Sequence, residues 1–380
     1  MKIYLSQNVF DAALDRIRYL FDEFPNVIVN TSGGKDSTII LNLALQVAEE
    51  KGRLPLKTMF IDQEAEWQAV IDHMRVIMSD PRVEPLWLQI PMRLFNATST
   101  IEPWLHCWEK GQEWIRDKEP DSIKVNRYGC DRFAAMFEAY NKVHYPHASV
   151  ARLAGVRAEE SPARRMGLTS YITYKDITWG SKEDVKRGHY TFYPIYDWSY
   201  TDVWKAIYDN GWPYCKLYDY MYQYGIPIRE MRVSNVHHET AVKTLFYLQE
   251  VEGDTWAKLT RRISGINTAG QMAKDFLLPS TLPHMFKSWR EYRDYLLENL
   301  IYDENRRRKM AKSFSSEERR YADTIYQKLM KMQVGVILTN DYHGTKQSTF
   351  VAANGRHLVT GRFGAGKRSI RQMLESQGIQ

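Results

Sequence analysis

Apolar residues near the start of the chain recur at spacings of three and four positions. The residues that follow this period are Val9, Ala13, Ile17, Leu20 and Phe21. Such spacing places them on one face of a helix. Pro25 comes directly afterwards and cannot continue a helix. The pattern predicts an amphipathic helix over residues 9–24.

A strand, a loop and a helix follow that first helix. Residues 27–30 form a short apolar run, residues 31–36 are small and polar, and residues 37–50 have the length and composition of a helix that Gly52 ends. A second apolar run at residues 56–62 completes a strand–helix–strand unit.

The alternation of strands and helices continues along the chain. Strands are predicted at residues 84–91 and 149–156, and helices at residues 63–80 and 131–143. Strands that alternate with helices form parallel sheets covered on both faces. The chain is therefore predicted to have an α/β fold.

Composition is typical of an ordinary globular protein. The chain has 380 residues, of which 44% are hydrophobic and 26% charged, which is enough for one large core and an appended domain. Acidic and polar residues interrupt the apolar pattern of the first 24 positions, so neither a signal peptide nor a membrane helix is expected there. We expect a cytoplasmic protein without a membrane partner.

The loop after the first strand has the properties of a phosphate-binding loop. It consists of Ser32, Gly33, Gly34, Lys35, Asp36 and Ser37. Glycines let backbone amides close on an anion, and the following helix directs its positive end at the same point. The serines can donate hydrogen bonds, the lysine can neutralise phosphate charge, and the aspartate can hold the loop or a Mg²⁺ ion. All six residues are predicted to bind a nucleotide.

The spacing of this loop, SGGKDS, resembles the signature of the PP-loop ATP pyrophosphatases and matches neither GxxxxGK[ST] nor GxGxxG. The resemblance implies an adenine nucleotide alpha hydrolase-like domain that binds ATP. A GxxxxGK match at residues 361–367 is interpreted as fortuitous, because only 13 residues follow it.

Three more residues are predicted to complete the site. Asp62 ends the second strand, at the carboxyl edge where parallel sheets bind ligands, and is predicted to bind a metal. Gly155 and Arg157 begin the segment GVRAEESPARR, and arginine suits phosphate or sulfate. Glu66 is interpreted as a surface residue.

These segments resemble the phosphoadenosine-phosphosulfate reductase branch of the PP-loop enzymes, over residues 20–225. The resemblance implies that Lys35, Asp62 and Arg157 are catalytic, that Gly155 contacts the nucleotide, and that Asp62 and Asp36 hold Mg²⁺. The aromatic-rich segment at residues 190–224 is interpreted as core.

The sequence departs from the reductases in its cysteines. The chain has three, and residues 226–380 contain none, so the reductases' C-terminal ECGLH-type segment is absent. A thiol-based reduction needs an accessible thiolate. A reductase-like core without that cysteine, with a long extension, resembles reductase-like proteins encoded beside a ParB-like partner, and this implies such a partner.

Basic charge is concentrated at the C-terminal end. Residues 303–380 hold 15 Lys/Arg against 7 Asp/Glu, whereas the whole chain has a net charge of +6. The predicted organisation is a nucleotide-binding domain at 1–230, a helical domain at 231–302 and a basic extension at 303–380. The extension is a candidate nucleic-acid surface, although a solvated helix face is the commoner explanation. Residues 333–380 are predicted to be a small hairpin or a tail.

Three functions remain open from the sequence. The first is an enzyme, a hydrolase or transferase, that cleaves ATP between the α- and β-phosphates and adenylylates an unknown acceptor. The second is a nucleotide-sensing regulator that binds DNA or a partner protein. The third is a sulfur-transfer enzyme that uses a phosphosulfate.

Overall fold

The computed structural model describes residues 5–355 except 100, 170, 239–240, 242–244, 272–278, 322 and 342–343. The chain divides into two compact units. One comprises Met1–Leu168 and Ile172–Ala273, and the other comprises Thr169–Tyr171 and Lys274–Gln380. The GxxxxGK match at 361–367 lies outside the described residues.

The first unit contains a six-stranded sheet and a two-stranded hairpin. In chain order the strands are β1 (Asn26–Asn30), β2 (Leu56–Ile61), β3 (Val83–Leu88), β4 (Met92–Phe95), β5 (Trp104–Cys107), β6 (Val150–Leu153), β7 (Gly180–Asp184) and β8 (His189–Phe192). The large sheet has the order β3-β2-β1-β6-β8-β7, and only β7 runs antiparallel to its neighbour. The predicted α/β fold is confirmed.

The first unit also contains helices that pack on its strands or on one another. They are α1 (Val9–Glu23), α2 (Lys35–Glu50), α3 (Gln68–Met78), α4 (Phe133–His144), α5 (Pro162–Thr169), α6 (Tyr200–Asn210), α7 (Leu217–Gln223), α8 (Leu245–Val251), α9 (Gly253–Arg262) and α10 (Ile266–Gln271). In α1, the predicted apolar stripe from Ala13 to Phe21 is buried. Asn8 caps this helix by accepting a hydrogen bond from the Asp11 amide at 2.9 Å.

The central strand β1 determines where the site lies. Its residue Val29 is in register with Thr58 of β2 on one side and with Leu153 of β6 on the other. All three strands are parallel, so their carboxyl ends meet at one edge of the sheet. The loops that follow β1, β2 and β6 therefore come together there.

Two features of the sheet differ from the sequence prediction. The predicted sheet is all parallel, but β7 is an antiparallel edge strand, and β4 and β5 form a separate antiparallel hairpin. Each of these strands has only four or five residues. Such short runs carry too little hydrophobic periodicity to be recognised.

The described residues from 231 to 271 belong to the first compact unit, whereas the predicted domain boundaries are at 230 and 302. Glu252 accepts hydrogen bonds from the amides of Gln68 and Ala69, at 2.6 and 2.8 Å, and so caps the start of α3. Arg262 forms an ion pair with Glu64 at 2.7 Å. These long-range contacts join α9 and its first flanking residue to α3 and to the loop after β2. The first compact unit therefore extends to Ala273.

The second unit is helical. Its helices are α11 (Trp289–Leu300), α12 (Glu304–Glu318), α13 (Tyr326–Leu338) and α14 (Thr345–Asn354). Its core includes Phe314, Val334 and Ile337. The prediction of a hairpin or tail from residue 333 is wrong for the described part, because the apolar run from 334 to 338 is the buried end of α13. No described helix is long and apolar enough to cross a membrane.

Candidate functional site

The loop after β1 is shaped by one glycine and one serine. Gly33 has a φ of +71°, a left-handed conformation that favours glycine. The Ser37 hydroxyl donates to the Gly34 carbonyl at 2.8 Å and accepts from the Ser32 amide at 3.2 Å. Helix α2 starts at Lys35. The first amides of a helix have no acceptor within it, and of these the Lys35 amide donates to the Tyr218 hydroxyl. The positive end of the helix dipole lies at this loop.

Gly155 lets the loop after β6 touch the start of α2. A Cβ atom at this position would lie 2.5 Å from the carbonyl carbon of Asp36 and 2.8 Å from the amide nitrogen of Ser37. These are backbone atoms that cannot move aside without shifting the helix. Only glycine fits, and the predicted contact residue is thus a close-packing residue between two loops of the site.

Lys35 extends to the rear of the loop. Its Nζ donates to the Met231 carbonyl at 2.8 Å and lies 5.0 Å from the centroid of the Tyr218 ring. The Tyr218 hydroxyl accepts from the Lys35 amide at 2.9 Å. Burial lowers the pKa of Lys35, and the nearby Asp36 carboxylate opposes that shift. The lysine connects the loop to the segment around residues 218–231.

Arg157 is held by Asp36. Its Nε donates to Asp36 Oδ1 at 2.5 Å, and the side chain is 4% exposed. Its amide donates to Glu160, which also forms an ion pair with Arg164. The two predicted ligands, Arg157 and Asp36, are thereby close together, but they are partners of each other.

Asp62 is buried among donors. Its Oδ2 accepts from Trp87 Nε1 and Gln89 Nε2, each at 2.9 Å, and its Oδ1 accepts from the Glu64 amide at 2.9 Å. The guanidinium of Arg116 bonds to both oxygens. These contacts occupy the roughly four acceptor sites of a carboxylate. Asp62 orders the loop after β2.

The predicted magnesium ligands do not fit Mg²⁺ in this arrangement. Mg²⁺ binds carboxylate oxygens that are free to enter an octahedral shell. Asp62 is saturated by Arg116 and three neutral donors, and Asp36 is engaged by Arg157. No group of three His, Cys, Asp or Glu side chains suited to a metal occurs among the residues that the structure describes.

A cavity of about 640 Å³ opens at the carboxyl edge of the sheet. Of the predicted site residues, Ser32, Ser37 and Gly155 line it. The rest of the lining comes from the ends of β1 and β2, from α4, from β6 to β8, and from residues 233 and 235. Lys35, Asp62 and Arg157 lie behind this lining, where they hold the scaffold, and their catalytic roles stay predictions.

Glu66 also lines the cavity, and its interpretation as a surface residue is wrong. The side chain is 5% exposed and accepts a hydrogen bond from Asn235 Nδ2. Burial, followed by the negative charge of Asp62, raises the pKa of Glu66 to about 8, although Arg116 opposes this shift. The folded environment of Glu66 therefore favours the protonated carboxyl over the carboxylate.

Sequence reasoning missed the residues that complete the site from far along the chain. Tyr218 and Met231 bind Lys35, and Asn235 binds Glu66, across separations of 183, 196 and 169 residues. Tyr218 lies in the aromatic-rich segment interpreted as core. Asn235 lies in the segment predicted as a helical domain, and no local pattern marks it as a site residue.

The cysteines are placed where thiol chemistry is difficult. Cys107 and Cys215 are fully buried. Burial raises the pKa of the Cys107 thiol far above its ordinary value and that of Cys215 to about 12. Cys130 is half-buried beside the Arg132 amide and does not line the cavity. A reactive thiolate is disfavoured at both buried positions.

The sequence matches two known protein-family models. Residues 26–224 match the model of the phosphoadenosine phosphosulfate reductase domain. The chain belongs to the phosphoadenosine phosphosulfate reductase domain family. Within this reductase-domain protein, residues 225–350 match a domain of unknown function, DUF3440. The boundary between the two family models lies near residue 225, whereas the boundary between the two compact units lies near residue 273.

Two curated relatives give the family context of this reductase-domain protein. It is 30% identical over 323 residues to the uncharacterized protein YbdN of Escherichia coli, covering 79% of this chain and 77% of YbdN. It is 24% identical over 216 residues to sulfate adenylyltransferase subunit 2 of Pseudomonas aeruginosa, covering 53% of this chain and 62% of that protein.

Solved structures of similar fold include two fungal enzymes. A phosphoadenylyl-sulfate reductase from Candida auris has a TM-score of 0.32 and 16% identity, with 63% of this chain and 99% of that chain covered. FMN adenylyltransferase from Candida glabrata has a TM-score of 0.36 and 16% identity, with 57% and 62% covered. At this degree of similarity neither informs on function.

Proposed function

We propose that the protein is a PP-loop ATP pyrophosphatase that transfers the adenylyl group of ATP to an acceptor. The observation that carries this proposal is the cradle at the edge of the sheet. There the Ser32–Ser37 loop, the start of α2 and the close-packed Gly155 border a cavity of about 640 Å³. This arrangement suits a polyphosphate, because amides, hydroxyls and a helix N-terminus converge on it.

In the proposed reaction a heteroatom of the acceptor forms a bond to the α-phosphorus of ATP. The bond from that phosphorus to the bridging oxygen breaks, pyrophosphate leaves with the electron pair, and the proton of the acceptor passes to solvent. Ser32, Ser37 and the first amides of α2 stabilise the pyrophosphate as its charge develops. Lys35 and Arg157 keep the loop in place from behind and add positive charge nearby.

Resemblance to sulfate adenylyltransferase subunit 2 supports adenylyl transfer as the reaction type. The buried thiols favour this reaction over cysteine-based reduction of a phosphosulfate. Formation of sulfite or sulfide from phosphosulfate and a thiol donor would favour the third function, sulfur transfer, instead. Magnesium stays a prediction for which the observed donors of Asp62 and Asp36 give no support.

The test is binding of radiolabelled ATP together with pyrophosphate release in the presence of candidate acceptors. We expect Ser37→Ala to lower pyrophosphate release by roughly 10- to 100-fold, because it removes a hydroxyl that borders the cavity and holds the loop through Ser32 and Gly34. Ser79→Ala, an exposed serine at the end of α3, serves as the matched control and should behave as wild type. Absence of both ATP binding and pyrophosphate release in the wild type would refute the proposal.

A DNA- or partner-binding regulator is the second candidate, and the charges of α12 favour it. Arg308, Lys309 and Lys312 are exposed on this helix. Phe314 and Glu317 of the same helix are buried, so removal of residues 303–380 would destroy the core of the second unit. The role of this extension in nucleic-acid binding and the ParB-like partner both stay predictions.

Charge reversal tests the nucleic-acid role without truncation. We expect replacement of Arg308, Lys309 and Lys312 by glutamate to weaken DNA retention and to reduce the salt dependence by roughly three phosphate contacts. Lys205→Glu, an exposed change on α6, is the control. Retention that is unchanged by the triple replacement would remove α12 as the DNA surface.

A further inference from the structure

The buried acids around the cavity fall into two kinds. Five of them each pair with an arginine, and the pairs are Asp36–Arg157, Asp62–Arg116, Glu64–Arg262, Glu183–Arg152 and Glu160–Arg164. Glu66 is only 5% exposed, but within the described part of the chain its side-chain partner is the carboxamide of Asn235 and it forms no ion pair. A carboxylate without a cation is costly to bury, so a carboxyl in this position keeps its proton.

Both members of this pair line the cavity that also contains Ser32 and Ser37. Asn235 comes from the segment after residue 230, and Glu66 follows β2. The pair therefore forms a wall of the same space in which the phosphates are proposed to bind.

A carboxylic acid hydrogen-bonded to a carboxamide offers both donors and acceptors but no net charge. Such a surface complements a neutral group that also carries a donor beside an acceptor, and gives a sulfate ion no compensating charge. The charged groups that act on Glu66 are Asp62 and Arg116, which form an ion pair with each other.

Resting on the proposed function, we propose that Glu66 and Asn235 bind the acceptor and select an uncharged carboxamide-like group over an anion such as sulfate. The recognition would consist of hydrogen bonds from the acid–amide pair to the donor and acceptor of that group. An anion placed there would face the Glu66–Asn235 pair without a cation.

One cation that lines the cavity offers an alternative binding position for an anionic acceptor. Arg152 and Arg164 line it but are paired with Glu183 and Glu160. Lys182 lines it from β7 and forms no ion pair among the described residues. An anionic acceptor would therefore bind near Lys182.

A matched pair of probes tests the proposal, namely nicotinamide and nicotinate, which differ in a carboxamide and a carboxylate. Their binding is measured by ligand-observed NMR on the full chain loaded with AMPCPP, an ATP analogue that resists cleavage between the α- and β-phosphates. We expect nicotinamide to bind about tenfold more tightly than nicotinate, the size of one well-made hydrogen-bonding difference. Sulfate should fail to displace nicotinamide.

Variants show whether the pair causes this preference. Glu66→Lys should reverse it, Glu66→Gln should preserve it, and Asn235→Leu should weaken nicotinamide binding about tenfold. Glu109→Lys, a charge reversal at an exposed acid, should match wild type. Lys182→Ala should lower only nicotinate binding. AMPCPP binding and circular dichroism verify that each variant is folded. If Glu66→Lys does not fold, the loss of nicotinamide binding in Asn235→Leu decides whether the pair causes the preference.

The contrary results are distinct from failure of the proposed function. Tighter binding of nicotinate or sulfate, binding of neither probe to the loaded protein, or an unchanged preference in both Glu66→Lys and Asn235→Leu overturns the inference while ATP chemistry stands. Failure of AMPCPP to bind at all, with no pyrophosphate release, overturns the proposed function.

Discussion

The two sides of the phosphate loop differ in what they do with polar side chains. On the cavity side, Ser32, Ser37 and Glu66 border open space. On the rear side, Lys35 is bound to Met231 and lies against Tyr218. Lys35 thus fixes the loop, whereas Ser32 and Ser37 face the cavity.

This difference shows that neighbouring residues of one motif can have separate roles. A lysine inside a phosphate-binding sequence invites the interpretation that its ammonium contacts phosphate directly. Here the ammonium is buried, with an acceptor supplied by the segment after residue 230. Its charge can still act on a bound anion through the low-dielectric interior, but its hydrogen bond holds the loop.

The largest effect is expected at Gly155, where the cavity side and the rear side meet. Gly155→Ala places a Cβ 2.5 Å from the Asp36 carbonyl carbon, so α2 must shift. We expect a loss of about 3 kcal/mol of unfolding free energy, at the upper end for overpacking, and ATP binding weakened by more than about tenfold. Urea unfolding and ATP titration measure the two effects.

Gly167→Ala is the control for this change. Gly167 lies on α5, and a Cβ there meets no atom within 4 Å. Stability should remain within about 0.5 kcal/mol or rise slightly, because alanine favours a helix. Equal behaviour of the two alanine variants would mean that the contact between the loops has no special importance.

The next effect concerns Glu66 on the cavity side and depends on pH. Its folded-state pKa is about 8, because of burial and then Asp62, whereas its ordinary value is 4.5. Between these values the unfolded state has lost the proton and the folded state keeps it, so stability falls as pH rises. Relative to Glu66→Gln, the wild type should lose roughly 2 to 3 kcal/mol of unfolding free energy from pH 5 to pH 7.

Urea unfolding of wild type and Glu66→Gln at pH 5, 6 and 7 measures this difference. The glutamine variant keeps the size and hydrogen-bonding capacity of the side chain but does not titrate. Parallel curves for the two proteins would show that Glu66 is ionised in the folded state, contrary to its raised pKa.

On the rear side, Lys35→Met should cost about 2 kcal/mol, because it leaves the Met231 carbonyl without its donor. ATP binding should weaken in parallel as the loop loosens. Lys51→Met is the control, since Lys51 pairs with the exposed Asp22 at the surface and should change stability by less than about 1 kcal/mol. Loss of ATP binding at full stability would instead indicate a direct phosphate contact by Lys35.

The sequence predicts those parts of the molecule that depend on local pattern. The helix at residues 9–24, the strand at 27–30 and the helix at 37–50 are observed within a few residues, because hydrophobic periodicity and glycine position determine them. The motif also locates the loop. Short strands such as β4 and β7 are not predicted, because four or five residues contain too few repeats of the hydrophobic pattern.

The orientation of the site residues could not be predicted in the same way. Whether Lys35 faces the cavity depends on Met231, and whether Glu66 is buried depends on Asn235, both more than 160 residues away. Asp62 was recognised by its place at the end of a strand. Its saturation by Trp87, Gln89 and Arg116 follows only from the packing of three separate segments.

The smallest effect isolates one hydrogen bond on the rear side. Tyr218→Phe removes the hydroxyl that accepts the Lys35 amide at 2.9 Å and keeps the ring beside the ammonium. We expect a loss of about 1 kcal/mol in stability, the typical net value of a hydrogen bond. Tyr222→Phe, an exposed change on the same helix, should be close to neutral. Tighter ATP binding by Tyr218→Phe would mean that the freed Lys35 amide donates to the phosphates. The rear side of the loop would then contribute to ATP binding directly, contrary to the separation of the two sides.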